Sequence, residues 1–202
     1  MFKPFVVVQQ SLLLLCFLLL FHVPTPADDR LLPLTSGPEI GSEVTSFYVR
    51  AVTGAHAGKS VCYVCRNGDR PVVMVCLRRI TPDSITLLKQ LDKLVNERRA
   101  DGLRSFVVLI SDSTQKDAGQ KDTAQLQTLA FDEKLELPLT VASEPMTGNN
   151  FSGIDPAAAI GLVLYNDLKV IDRFSFRAGE VDAAACQMVL NSVKELTKRA
   201  VP

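Results

Sequence analysis

Cys62-Tyr63-Val64-Cys65 is the spacing in this 202-residue chain that most directly suggests a reaction. Two cysteines separated by two residues can cycle between dithiol and disulfide, or can supply half of a tetrahedral zinc site. Lys59, Arg66 and Arg70 flank the pair, and cationic neighbours favour the reactive thiolate. Residues 60–66, however, read as a strand joined to residues 71–77 by the turn signal Asn67-Gly68. Along a strand, residues i and i+3 lie about 10 Å apart, beyond the ~7 Å limit for a disulfide. A bond therefore requires Tyr63-Val64 to turn, which the β-branched Val64 opposes. Three readings stand: a structural disulfide or ordinary thiols, a redox-active pair, or half a metal site completed by Cys76, Cys186 or His56.

The remaining candidates read more simply as structure. Cys76 lies inside an apolar strand, and Cys186 sits beside Ala183, Ala184 and Ala185; cysteine behaves in such places as a small hydrophobe. His56 lies in a Gly/Ala-flanked loop with no assignable Ser or Asp partner. Arg78-Arg79 precedes a helix start, where an anion is welcome, but the same residues suit a solvated loop. Asp112-Ser113-Thr114 reads as a helix lead-in. Asn150-Phe151-Ser152, after the polar stretch Met146-Thr147-Gly148-Asn149, matches a glycosylation acceptor by pattern alone. No resident metal and no cofactor are implied.

Lys plus Arg and Asp plus Glu number 22 each, so no net field draws in nucleic acid or an anionic membrane. The amino terminus differs in kind. Lys3, the apolar run 11–21 and the small residues of Thr25-Pro26-Ala27 before Asp28-Asp29 follow the order of a secretory signal peptide. The alternative is an N-terminal anchor over residues 5–23. Gln9, Gln10 and Ser11 interrupt that stretch, and a span needs about 20 apolar residues. The expected organisation is a signal peptide over 1–27, a linker or extended lead-in over 28–40, and one domain over 41–200. Export, periplasmic or secreted, removes Cys16 from the five cysteines and leaves Cys62, Cys65, Cys76 and Cys186 where disulfides are permitted.

Positioning elements follow from periodicity. Val72 to Leu77 is continuously apolar, as in a strand buried on both faces. Thr81-Pro82-Asp83 then starts a helix, with Ile85, Leu88, Leu91, Leu94 and Val95 on one stripe and Gly102 closing it. A second buried strand covers 105–111, a helix 117–133, and a strand 137–142. A hairpin turns at Asn166-Asp167, and a last helix over 180–199 carries Val181, Met188, Val189, Val193 and Leu196. Strands separated by helices, then a hairpin and a helix, define an α/β domain.

Gly41-Ser42-Glu43-Val44-Thr45-Ser46-Phe47, with Val52-Thr53-Gly54, resembles the opening of the peroxiredoxin-like and TlpA-like branch of the thioredoxin-like fold superfamily. That opening reads Gly, two residues, Val-Pro-x-Phe, then a turn ending in Gly. Pro138 and the Asn166-Asp167 hairpin match later parts of the pattern, so the resemblance spans residues 41–198. It is similar also to exported bacterial thioredoxin-fold proteins of uncharacterised function that share an early CxxC. The resemblance implies a thioredoxin-like three-layer α/β/α sandwich with a mixed central sheet and an early N-terminal hairpin.

It also implies a nucleophilic thiolate at the helix start after the central strand, where the helix dipole lowers its pKa. Residues 80–84 carry no cysteine here, although Thr81-Pro82 resembles the peroxiredoxin Thr-Pro. The cis-proline hallmark aligns with Ala159, and Pro156 lies three residues earlier. The expectation is an exported module without the usual helix-start active site, binding a partner or responding to redox state. The alternative is a thiol–disulfide oxidoreductase using Cys62 and Cys65 as a displaced catalytic pair. Expected partners are protein thiols or disulfides, with no nucleic acid, and membrane contact only through a retained N-terminal segment. Intact mass of the protein recovered from an exporting host tests the first step: the chain should begin at Asp28, and a mass including residues 1–27 refutes cleavage.

Overall fold

The computed structural model describes residues 34, 37–110, 118–143 and 153–199. The signal segment, most of the proposed linker, Asp112-Ser113-Thr114 and the stretch from Met146 to Ser152 lie outside the described residues. Strands β1 (Val49–Ala51) and β2 (Ser60–Val61) precede a short helix α1 (Tyr63–Asn67), β3 (Val72–Leu77) and α2 (Pro82–Glu97). Then come β4 (Arg104–Leu109), α3 (Ala118–Glu133), β5 (Leu139–Ala142), the β6 (Ile160–Asn166) and β7 (Lys169–Phe176) pair, and α4 (Ala183–Arg199).

The seven strands form one mixed sheet in the order β2-β1-β5-β4-β3-β6-β7. β3 runs parallel to β4 and antiparallel to β6, and β5 continues parallel to β4. Every residue of β3 is buried, which follows from an apolar run with neighbours on both edges and both faces. Val73, Val75 and Leu77 meet the core under α2, α3 and α4. Val72, Met74 and Cys76 meet a second core, closed by α1, the lead-in around Val44 and Phe47, and residues 154–158. Among the described residues the three long helices thus share one face, and the other face carries only a short one.

α2 starts as its sequence dictates. Thr81 Oγ1 accepts the Ser84 N–H at 3.4 Å, and Ser84 Oγ accepts the Thr81 N–H at 2.9 Å, a reciprocal capping box with Pro82 at the first position. Leu87, Leu88 and Leu91 are fully buried beneath it. Each such leucine contributes about 1.5–3 kcal/mol.

Three expectations are corrected. Residues 60–66 do not form a strand paired with 71–77. The early hairpin instead joins β1 to β2, with Val49 opposite Val61, and the chain then turns into α1. Met188 lies on the exposed side of α4, because the inward stripe runs through Cys186, Val189, Val193 and Leu196. The lead-in from Gly37 is bonded into the sheet: Gly37 N donates to Gly153 O at 2.7 Å and Val44 N to Leu168 O at 2.7 Å. The β6–β7 turn falls on Asp167 and Leu168, one residue later than expected, because Asn166 pairs with Lys169. The two take φ of 50° and 58°, as a two-residue hairpin requires.

Asp83 ties α2 to the segment leading into α4, its carboxylate accepting the Gly179 and Val181 N–H groups at 3.0 and 3.4 Å. Burial acts to raise its pKa, but the hydrogen bonds from Thr81, Gly179 and Val181 outweigh it and hold the carboxyl below its usual value. A depressed folded-state pKa stabilises above the ordinary carboxylate range, and that stability is lost as pH falls through the folded value. Asp83→Asn is therefore expected to lower the melting temperature at pH 7, with the deficit shrinking below about pH 4. A deficit that does not change between pH 7 and pH 3 refutes the linkage.

Candidate redox site

α1 exists because three features agree, two of them local and one reaching across the sheet. Cys62 takes extended backbone angles at the N-cap, and its Sγ accepts the Cys65 N–H at 3.1 Å. Tyr63 lies flat on Phe106 of β4, with ring centroids 5.1 Å apart and planes at 14°. Gly68 then ends the helix at φ 56°, donating its N–H to Val64 O at 3.1 Å. The Asn67-Gly68 signal is thus a helix stop, where glycine is favoured because φ is positive.

The turn brings the Cα atoms of Cys62 and Cys65 to 5.4 Å, and the two form a disulfide. An extended strand cannot do this. The two residues sit in different surroundings: Cys62 is 5% exposed, whereas Cys65 is exposed. Cys65 lines a cavity of about 440 Å³ between α1 and the lead-in, with Glu43, Val44, Ser46 and Leu168 in its wall. Of the basic flank, Arg66 and Arg70 line a different cavity, beside Tyr63.

The disulfide and the start of α2 occupy opposite ends of β3. Cys65 shares its cavity with Leu168, in the turn that follows the pairing of Val72 with Tyr165. Thr81 lies beyond Leu77, six strand residues away, or roughly 20 Å at the strand rise. α2 also packs on the other face of the sheet. At that far end Ala159 O accepts the N–H groups of Arg78 and Arg79 at 2.9 and 3.2 Å, and Arg79 Nη2 reaches Ala157 O at 3.4 Å. Arg78-Arg79 thus holds the loop before β6. Pro156 follows Asp155, whose carboxylate accepts the Ala157 N–H at 2.7 Å.

Cys76 and Cys186 are buried free thiols in the two different cores. Burial pushes the Cys76 thiol up to about 12, against the pull of Arg78. Burial also raises Cys186, helped by the charges of Asp182 and Asp83. Neither joins the Cys62–Cys65 pair. Among the described residues no group of three or more His, Cys, Asp and Glu is placed to hold a metal. His56 stands edge-on to Tyr63, with ring centroids 6.3 Å apart. Sequence reading missed that contact, because the two rings meet only once α1 has turned.

The architecture is the thioredoxin-like fold. No protein-family profile and no curated protein sequence matches the chain. Solved structures similar to it include an uncharacterised conserved protein from Geobacillus kaustophilus, at TM-score 0.61 and 15% identity over 85% of this chain and 90% of that one. A putative thiol:disulfide interchange protein DsbE from Chlorobium tepidum superposes at TM-score 0.57 and 10% identity, over 79% and 98%. Peroxidoxin BcpB from Mycobacterium tuberculosis gives TM-score 0.53 and 17% identity, over 78% and 97%. Thiol-exchange and peroxidoxin structures thus share the fold that the opening motif implied.

The four-residue loop closed by this disulfide is short, so its loss costs about 2 kcal/mol by chain entropy. Denaturation with and without a phosphine reductant checks that figure. Alkylation of the native oxidised protein should leave Cys76 and Cys186 unlabelled, and native reduction should expose Cys65 first. Labelling of Cys76 or Cys186 before unfolding contradicts the burial described.

Proposed function

We propose that this protein is an exported, redox-responsive thioredoxin-fold module whose responsive group is the Cys62–Cys65 disulfide. The observation that carries this reading is the asymmetry of the pair: one cysteine exposed and lining a cavity, the other buried with its sulfur hydrogen-bonded. A thiolate from a partner dithiol protein attacks Cys65 Sγ. The Cys62–Cys65 bond breaks, and its electron pair passes to Cys62 Sγ, which already accepts the Cys65 N–H. The partner's second thiol then attacks the mixed disulfide and frees Cys65. Two electrons have passed to the pair and the partner has become a disulfide; the partner's two protons balance the two thiols formed. The reverse sequence oxidises a partner.

The lead-in wall of the Cys65 cavity, Glu43 to Ser46, is where a partner segment would lie during the mixed-disulfide stage. Partner binding and redox response therefore use one surface. Whether the exchange also turns over as an oxidoreductase depends on the rate of partner release, which insulin reduction measures.

Trapping tests the assignment. Cys62→Ser leaves an exposed Cys65 and should capture mixed disulfides at least ten times more than Cys65→Ser, which leaves only the buried sulfur. Equal capture overturns the order of attack. No capture by either variant, or a reduction potential below about −300 mV, identifies the bond as structural and sinks the proposal.

A further inference from the structure

β5 joins β4 late. Its ladder begins at Val107 opposite Leu139, so Arg104, Ser105 and Phe106 have no ladder partner on that edge. The notch left beneath β5 is a cavity of about 310 Å³, closed by residues 54–56, α1, the end of α2 and residues 136–138. It lies toward the amino ends of the parallel strands and shares no lining residue with the cavity beside Cys65.

Its charge is one-sided. Arg66, Arg70, Arg99 and Arg104 line it against a single carboxylate, Glu136, so four positive charges less one negative leaves three. Among the described residues none of the four arginines makes an ion pair. Neutral groups hold three of them, Arg70, Arg99 and Arg104, instead. Arg104 Nη1 donates to the carbonyls of Arg99 and Leu103 at 3.0 and 2.8 Å, and Arg70 Nη1 to those of Arg66 and Asn67 at 3.4 Å each. Arg99 Nη2 donates to Asn96 Oδ1 at 2.7 Å. These three guanidiniums are positioned while no carboxylate among the described residues pairs with them. Burial, and then the charges of Arg70 and Arg99, depress the Arg104 pKa, so these cations crowd one another.

Two hydroxyls in the same wall have no hydrogen-bond partner. Tyr63 and Ser105 are each 7% exposed, yet Tyr63 Oη and Ser105 Oγ are buried and unpaired. A buried hydroxyl left unpaired costs about 1–3 kcal/mol. Burial raises the Tyr63 pKa against the opposing charge of Arg66, which stands close by. Fork-shaped cations beside idle hydroxyl donors match a tetrahedral oxyanion, which takes paired N–H donors and O–H donors together.

We infer that this notch binds a small phosphate-bearing metabolite, held by Arg66, Arg70, Arg99 and Arg104 with Tyr63 and Ser105 donating to the phosphate oxygens. About 310 Å³ is at the lower end of ligand pockets, room for a molecule with one or two phosphoryl groups and not for a polymer. The site requires no thiol chemistry and stands apart from the exchange reaction.

Pyrophosphate and inorganic phosphate are the probes, titrated into the purified oxidised protein by calorimetry and thermal shift, with chloride at matched ionic strength as the control. Pyrophosphate should bind saturably and raise the melting temperature, with phosphate weaker. The double variant Arg70→Gln/Arg104→Gln should lose affinity at least tenfold. Its ligand-free melting temperature should be unchanged or higher, because repulsion is relieved. Tyr63→Phe keeps the stack on Phe106 and should weaken binding a few-fold. Three results each overturn the proposal: no saturable binding, binding indifferent to the arginine pair, or citrate binding as tightly as pyrophosphate.

Discussion

The burial of β3 on both faces and along both edges is the constraint from which the rest of the molecule follows. Val72 to Leu77 contain no group that can meet water or a ligand, and Cys76 is chemically silent there for the same reason. Chemistry is thereby displaced to the ends of the strand. Past Leu77, the Thr81–Ser84 box starts α2, while the backbone of Arg78 and Arg79 pins the loop at Ala159. Those groups are occupied with each other. Before Val72 comes α1, and there the exposed sulfur, the idle hydroxyls and the unpaired arginines collect.

α1 can carry so much because Tyr63 reaches across to Phe106 on β4. The stack fixes the helix over the sheet and fixes its rotation. One direction presents Cys65 to the lead-in, and another presents Arg66 and Asn67 to the notch under β5. The late start of β5 supplies that notch, while the crossing lead-in supplies the other cavity. Neither depends on the helix start at which a thioredoxin-like fold is expected to work.

The long elements were legible in the sequence because their signals are redundant. β3 is a continuous apolar run, and α2 and the β6–β7 hairpin each combine an apolar pattern with a cap or a turn. α1 was illegible because each of its signals has two meanings. Val64 favours strands, Asn67-Gly68 serves a hairpin or a helix stop, and cysteine is not among the usual N-caps. The deciding contact, Tyr63 on Phe106, joins residues far apart in the chain and leaves no local trace. The pairing of Cys62 with Cys65 was correctly made conditional on a turn, and that turn is what the fold supplies. The arginine cavity was out of reach altogether, since it draws on α1, α2, β4 and the α3–β5 connection.

Magnitudes decide what the disulfide does for α1. Closing a four-residue loop contributes about 2 kcal/mol. Burying Val64 contributes about 1.5–3 kcal/mol, and the aromatic stack about 0.5–1.5 kcal/mol more. The unpaired Tyr63 hydroxyl, at about 1–3 kcal/mol, offsets most of the gain from burying its ring. The packing is at least comparable to the bond, so the turn of α1 does not rest on the bond alone. Opening the bond would then change the state of two sulfurs without dismantling the packing of Tyr63 on Phe106 around them. A pair that stapled an otherwise unsupported turn would lose its geometry on reduction and re-form slowly. Here the geometry of the turn rests on Tyr63 and Phe106 as well as on the bond between Cys62 and Cys65.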